Sequence, residues 1–293
     1  MLVTVGSVPV KDPSIKKGST KVQGENLLIG DFSIPISAGT QTMIAAATVT
    51  CEALGLKAPY AVVAGDIGDG SGSDELFAFL ILEGCTLSPK VVVVHYIYPS
   101  VGMKEVVETL KGCVPPPKLI ADAGAMYNIA TLGLAKDFDL FTPDPGEMAF
   151  LADPEAEHPM YVSTPIFEID TTDIPALIDQ AHKCGKAPKF LLVKGATDYI
   201  AREKPGQPSM GLEVVATINE PNIPALEPIG GTGDTITGIV SALIYGGYEI
   251  TDAAVKAAKV NRIAGMLANP TPATPISQII PQIPAALKKV LGK

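Results

Sequence analysis

The sequence predicts an α/β fold built on a mostly parallel sheet with helices on both faces. Three observations carry this. Short β-branched runs alternate with longer helical patterns along the chain. The run Val91-Val92-Val93-Val94-His95 is apolar up to its last residue, as a central parallel strand covered on both faces tends to be. Polar residues fall at or just past the carboxyl ends of the runs, at Asp66, Asp122, Asp144 and Lys194. That is where open α/β sheets bind ligands.

The elements follow in order. Residues 26–30 (NLLIG) read as a strand, and 40–54, rich in Ala, Thr and Ile, as a buried helix. Strand 60–66 and helix 73–83 come next, then strand 91–95, strand 118–122 and strand 139–142. Helix 174–184 precedes strand 189–194, and 199–201 with 212–217 form a hairpin or adjacent strands. The last third is helical, over 235–244, 251–267 and 276–291. Pro115-Pro116-Pro117 and residues 219–228 are loops too short for a domain linker, so residues 1–293 are expected to form one domain.

Composition bounds the function. The chain has 293 residues, 47% hydrophobic and 18% charged, so it can bury a sizeable core. Its net charge of -9 opposes general nucleic-acid binding, which needs clustered Lys and Arg, but not a single nucleotide held by backbone amides. Cys51, Cys85, Cys113 and Cys184 form no CxxC pair. They are expected to be reduced, mostly buried thiols of an intracellular protein, with no zinc. Residues 1–10 are apolar but lack the basic flank and cleavage site of a signal peptide, and no apolar run approaches the roughly 20 residues of a membrane helix. A soluble, cytoplasmic protein is expected.

The strongest local motif is Gly230-Gly231-Thr232-Gly233-Asp234, followed at once by a helical run. Glycines let successive N–H groups face one point, and a helix start adds a positive dipole end. Asp234 there is either a helix cap or the acceptor of a proton from an attacking hydroxyl. Thr142-Pro143-Asp144-Pro145-Gly146-Glu147 reads as a capping box, with Asp144 as N-cap and Glu147 three residues on. Lys194 and Gly195 end a strand, where the Lys either reaches a phosphate or is simply solvated. The loop Gly65–Ser73 is read as a solvated loop ending in a Ser cap. His95, His158 and His182 have no metal-ligand spacing and are read as structural or surface residues, so no metal ligand is assigned. Walker A, dinucleotide and nucleophile-elbow motifs are absent.

Taken in order, these blocks resemble the ADP/ATP-dependent NAD(P)H-hydrate dehydratases, a branch of the ribokinase-like superfamily. Thr142–Met148 is similar to that family's T-P-H-P-G-E-M, Lys194-Gly195-Ala196 to its K-G-A, and Gly231-Thr232-Gly233-Asp234 with Gly238 to its G-T/S-G-D-x-x-x-G. Ile120–Ala123 resembles the strand ending in D-A-D-A. Lys17-Gly18, residues 27–30 and Ala38-Gly39 echo the opening segment.

The resemblance implies a three-layer α/β/α sandwich and kinase-like chemistry. The hydroxyl of hydrated NADH or NADPH is phosphorylated, and loss of phosphate restores the nicotinamide. It makes Asp234 the base and the Gly231–Gly233 amides the charge-stabilising loop. It puts Lys194, Gly195, Gly230 and Asn261 on the nucleotide side. Asp122, Asp144, Glu147 and Gly39 fall on the acceptor side. The implied ligands are ATP or ADP, Mg2+ and a small-molecule substrate, and a homo-oligomer is compatible with it. Three positions and one loop depart from the family: Asp144 stands for its His, Gly124 for the second Asp of D-A-D-A, Asn261 for a later His, and the G-P-G-L-G loop has no clear match. An ATP-dependent sugar or vitamin-alcohol kinase and a non-catalytic nucleotide-binding protein are the alternatives.

Overall fold

In the computed structural model, which describes residues 1–156 and 173–292, a period of two in the apolar strands sets the layers. Among the described residues the strands are β1 (Leu2–Val8), β2 (Lys16–Gln23), β3 (Asn26–Ile29), β4 (Phe32–Pro35), β5 (Tyr60–Gly65), β6 (Val91–Val94), β7 (Lys118–Ala121), β8 (Leu140–Phe141), β9 (Phe190–Val193), β10 (Asp198–Glu203) and β11 (Leu212–Ile218). The helices are α1 (Thr40–Ala53), α2 (Ser71–Glu83), α3 (Met103–Gly112), α4 (Gly124–Thr131), α5 (Pro145–Ala152), α6 (Ile174–Lys183), α7 (Thr232–Tyr245), α8 (Ile250–Ala268), α9 (Ile276–Ile279) and α10 (Ile283–Leu291).

The strands join one sheet in the order β11-β10-β9-β8-β7-β6-β1-β5-β2-β3-β4. The run from β9 to β5 is parallel, and both edges are antiparallel. Successive side chains on a strand point to opposite faces. Val91 and Val93 therefore enter a core with Met43, Ile239, Leu243 and Val260, from α1, α7 and α8. Val92 and Val94 enter a second core with Leu80, Val106, Ile129 and Phe150, from α2, α3, α4 and α5. The result is the three-layer sandwich of the ribokinase-like class.

The apolar segment 1–10 forms β1, the central strand between β5 and β6. Its residues are buried on both faces, so it carries no alternation to mark it. Residues 26–29 are β3, in an antiparallel flap with β2 and β4 at the sheet edge, and not a central strand. The segment read as one helix over 276–291 is interrupted by a 3-10 turn at Ile280–Gln282. Pro281 and Pro284 lack the N–H that a continuous helix needs there. β10 and β11 pair antiparallel as a hairpin.

The thiol expectation fails at two positions. Cys85 and Cys113 form a disulfide, with Cα atoms 5.3 Å apart and a sequence separation of 28. Cys85 follows α2 and Cys113 follows α3, and these neighbouring helices end side by side. Sequence spacing carries no sign of that proximity. A cross-link closing a loop of this length contributes roughly 3–4 kcal/mol by restricting the unfolded chain. Cys51 and Cys184 are free.

α1 and α7 cross tightly beside the site. A Cβ on Gly238 would lie 2.2 Å from the Met43 carbonyl oxygen and 2.8 Å from the Ala47 nitrogen. Both are backbone atoms inside α1, so neither can yield cheaply. Gly238→Ala is expected to cost at least ~3 kcal/mol and to shift the start of α7. Urea denaturation of the variant checks this, and a loss below about 1 kcal/mol would mean the two helices can part.

Candidate active site

Three strand ends and two helix starts converge. His95 follows β6, Asp122 follows β7 and Lys194 follows β9, while α1 opens after Gly39 and α7 after Gly231. The loop before α7 needs glycine at Gly231, whose φ is +98°. No side chain caps this helix, and its first backbone bond is from Thr235 N–H to the Gly231 carbonyl. The N–H groups of Thr232, Gly233 and Asp234 precede that bond, so the helix start offers donors to an anion.

Asp234 lies in this first turn with its side chain 15% exposed, the part of the buried cluster that meets solvent. Its Oδ2 accepts from Gly39 N–H at 2.6 Å, and its Oδ1 lies 3.1 Å from His95 Nε2. His95 is fully buried, and its Nδ1 lies 3.3 Å from Thr40 Oγ1. Asp122, also fully buried, accepts from Lys194 Nζ at 2.7 Å and Ala123 N–H at 2.9 Å through Oδ1. Its Oδ2 accepts from Thr237 Oγ1 at 2.5 Å and lies 3.5 Å from His95 Nε2. Thr142 and Thr237 hydroxyls meet at 2.9 Å.

The charges in this cluster balance. Burial alone would lower the pKa of His95, but Asp122 and Asp234 outweigh it and push the imidazole up to about 9. Burial likewise opposes ionisation of Asp122 and Asp234, yet Lys194 and His95 hold both carboxyls below their ordinary range. Burial works against the Lys194 charge, and Asp122 more than restores it. At neutral pH the cluster is thus two carboxylates against an imidazolium and an ammonium. His95, Asp122 and Asp234 offer ligand atoms within 4.8 Å of one another, the geometry of a cation site. With His95 protonated and Lys194 already on Asp122, a metal ion would have to displace a bound charge.

The expected site residues divide into those at the surface and those behind it. Gly230 and Gly195 are exposed, while Gly231, Thr232 and Gly233 are half-buried at the loop. Asp144 and Glu147 form the expected capping box: Glu147 N–H donates to Asp144 Oδ1 at 2.8 Å, and Asp144 N–H donates to Glu147 Oε2 at 2.7 Å. Burial, with the carboxylates of Asp122 and Asp144, pushes Glu147 up to about 8 against the pull of Lys194.

Four of the expected site residues meet partners within the protein. Asp122 is sealed beneath the site and does not line an acceptor pocket. The Gly39 amide donates to Asp234, and the residue borders a cavity with Ala38, Thr40, Gln41 and Tyr96. Lys194 runs under Gly233 and spends its charge on Asp122, so it supports the glycine loop from below. Asn261 stands behind the loop, where it donates to the Thr232 carbonyl at 3.1 Å and accepts from Thr235 Oγ1 at 2.5 Å. In the loop after β5, Gly70 and not a Ser is the N-cap of α2, and Asp66 accepts from Ser73 N–H and Oγ.

Sequence reasoning missed His95, Thr40, Thr237 and Arg262. His95 stood at the carboxyl end of an apolar strand, the criterion that singled out Asp122 and Lys194. Arg262 of α8 is buried, holds Asp198 at 2.8 Å and takes the Gly195 and Ala196 carbonyls at 2.9 and 3.0 Å, which fixes the turn after Lys194. His182 lies in the last turn of α6, half-buried, and His158 lies outside the described residues.

The sandwich, with an open helix start and a carboxylate in its first turn, defines an enzyme of the ribokinase-like class. Residues 100–284 match the family described as NAD(P)H-hydrate dehydratase, and the chain belongs to it. It is 40% identical over 249 residues to an uncharacterized protein of Methanocaldococcus jannaschii, covering 85% of this chain and all of that one. The fold is shared with an ADP/ATP-dependent NAD(P)H-hydrate dehydratase from Bacillus subtilis, at a TM-score of 0.58 and 13% identity over 99% of this chain and 92% of that one. It is shared equally with a pyridoxal kinase from Entamoeba histolytica, at 0.56 and 14% over 96% and 94%. Among the described residues no helix is long and apolar enough to cross a membrane.

Proposed function

We propose that this protein restores hydrated NADH or NADPH by nucleotide-dependent phosphorylation and elimination, with Asp234 accepting the hydroxyl proton. The observation that carries the reading is the placement of Asp234. Its carboxylate is fixed by Gly39 and His95 while its backbone N–H joins the uncapped start of α7. Proton acceptor and anion-binding donors thus share one turn of helix. Family membership supplies the substrate class.

A phosphoryl donor fits this loop, since three helix-start amides face no side-chain cap. The Bacillus subtilis relative was co-crystallized with ATP/Mg2+, which supports ATP or ADP with Mg2+ as the donor here. When bound, that donor supplies the phosphoryl group, and its metal is held largely by phosphate and water. The chain does the rest. Asp234 takes the proton as the substrate hydroxyl oxygen bonds to phosphorus and the terminal P–O bond of the nucleotide breaks, with ADP leaving from ATP or AMP from ADP. The amides of Thr232, Gly233 and Asp234 stabilise the charge on the transferring group. The C–O bond of the new phosphate ester then breaks, phosphate leaves with the bonding pair, the neighbouring ring carbon gives its proton to solvent, and the nicotinamide double bond returns. Gly230 and Gly195 leave backbone open to the nucleotide, and Asp144 and Glu147 lie on the rim beside Gly195. Lys194 and Asn261 act from behind the loop. We further propose that residues 1–293 work as one domain, supported by the continuity of the sheet.

The test is incubation with hydrated NADH or NADPH, Mg2+ and either ATP or ADP, followed by the absorbance of the restored nicotinamide. Nucleotide-dependent recovery is expected. Phosphorylation of pyridoxal or a sugar, with no recovery from the hydrate, would replace this reading with the kinase one.

A further inference from the structure

We propose that His95 is a positioning residue that, as an imidazolium, clamps the Asp234 carboxylate and ties it to the buried Asp122–Lys194 pair. This goes beyond the function above but rests on its reading of Asp234 as the proton acceptor.

The geometry carries it. His95 follows a strand whose residues are all apolar, and it is wholly buried. A buried ring of this kind must find partners for both nitrogens. Nδ1 meets Thr40 Oγ1, and Nε2 sits between two carboxylates, 3.1 Å from Asp234 and 3.5 Å from Asp122. The ring edge is packed against Tyr96 at 4.7 Å between centroids, which fixes its plane. No route for substrate to His95 remains, so it acts through Asp234. The Thr40 hydroxyl also adjoins Gly39, whose amide holds the other oxygen of Asp234. Each carboxylate oxygen of the base is therefore pinned by a separate element, α1 and β6.

The charge follows from the neighbours. The ionisable groups facing the ring are Asp122 from β7, Asp234 from α7, Lys194 from β9 by way of Asp122, and Tyr96 beside it; Glu147 of α5 bears on Lys194. Two carboxylates at hydrogen-bond range favour the imidazolium. Its positive charge keeps Asp234 ionised and ready. When Asp234 takes the substrate proton, the cluster passes from neutral to a net positive charge. That change comes as negative charge develops on the transferring phosphoryl group. A neutral side chain at position 95 would leave the cluster one charge more negative throughout.

The decisive variant is His95→Gln, which can keep an N–H donor near Nε2 but cannot titrate. Expected is a fall in kcat of roughly 10- to 100-fold with KM for nucleotide little changed. The acid limb of the kcat profile should move to higher pH, because Asp234 loses its cation. An alkaline limb near pH 9, expected in the wild type from the raised His95, should be missing in the variant. His95→Leu should lose more than His95→Gln. Unchanged kcat and an unchanged pH profile in His95→Gln would overturn the proposal. If Asp234→Asn were itself fully active, the reading of the base would fail first, and the two failures are distinguishable. Should His95→Gln not fold, nitrogen NMR on the intact protein decides. With His158 and His182 replaced by Asn, both remaining ring nitrogens should be protonated at neutral pH. A neutral ring with one N–H there would contradict the imidazolium.

Discussion

Replacing Asp234 by Asn is expected to reduce kcat by roughly 100- to 10,000-fold while nucleotide still binds. The amide cannot accept the hydroxyl proton, but the backbone N–H groups of Thr232, Gly233 and residue 234 are untouched. Binding and chemistry therefore separate. The amide also meets two donors, Gly39 N–H and His95 Nε2–H, with a single acceptor oxygen. A modest loss of stability is expected besides. Calorimetric titration of nucleotide and single-turnover kinetics measure the two quantities. Full turnover in the variant would remove Asp234 as proton acceptor and leave it a part of the helix start.

The second large effect is at Asp122. Asp122→Ala leaves Lys194 and His95 buried without their shared carboxylate, and Thr237 without its acceptor. Removing one partner of a buried charge cluster costs roughly 3–5 kcal/mol. By contrast, Asp144→Ala, at an exposed N-cap, should cost about 1 kcal/mol. Both aspartates follow strands and both stood as acceptor-side residues in the sequence, and burial alone separates their fates. Urea denaturation of the two variants gives the comparison. An equal, small loss in both would mean that the cluster is solvated.

The same cluster gives stability a pH signature. The Asp122 carboxyl is held below its ordinary value, so its contribution is present above that value and lost as the solution is acidified. His95 is raised to about 9, so its contribution is complete below about pH 6.5, declines above it and is lost past 9.

How much of this was legible in the sequence depended on locality. The glycine loop, Asp234 and the capping box at Asp144 were readable because their partners lie within a few residues. The parallel sheet was readable because each central strand is a short apolar run. β1 was equally apolar but opened the chain, without a preceding helix to set the alternation. β2, with its polar KKGSTKVQ, hid because only one of its residues is fully buried. The clamp on Asp234 was invisible for a different reason. His95 and Asp234 are 139 residues apart, and Gly39 and Asp234 are 195 apart. Only the sheet order, with β6 beside β1 and α7 laid across α1, brings them together. Lys194 was singled out from its place at a strand end, but its bond to the buried Asp122 carboxylate, 72 residues away in sequence, was not legible there.

On this reading one site both phosphorylates the hydrate and releases the phosphate. The most direct measurement is the stoichiometry of free inorganic phosphate against restored NADH during turnover of hydrated NADH. One phosphate freed for each nicotinamide restored, with one nucleotide consumed, is the predicted result. Nucleotide consumed with the phosphate retained on the acceptor, and no NADH restored, would contradict it and leave a kinase in its place.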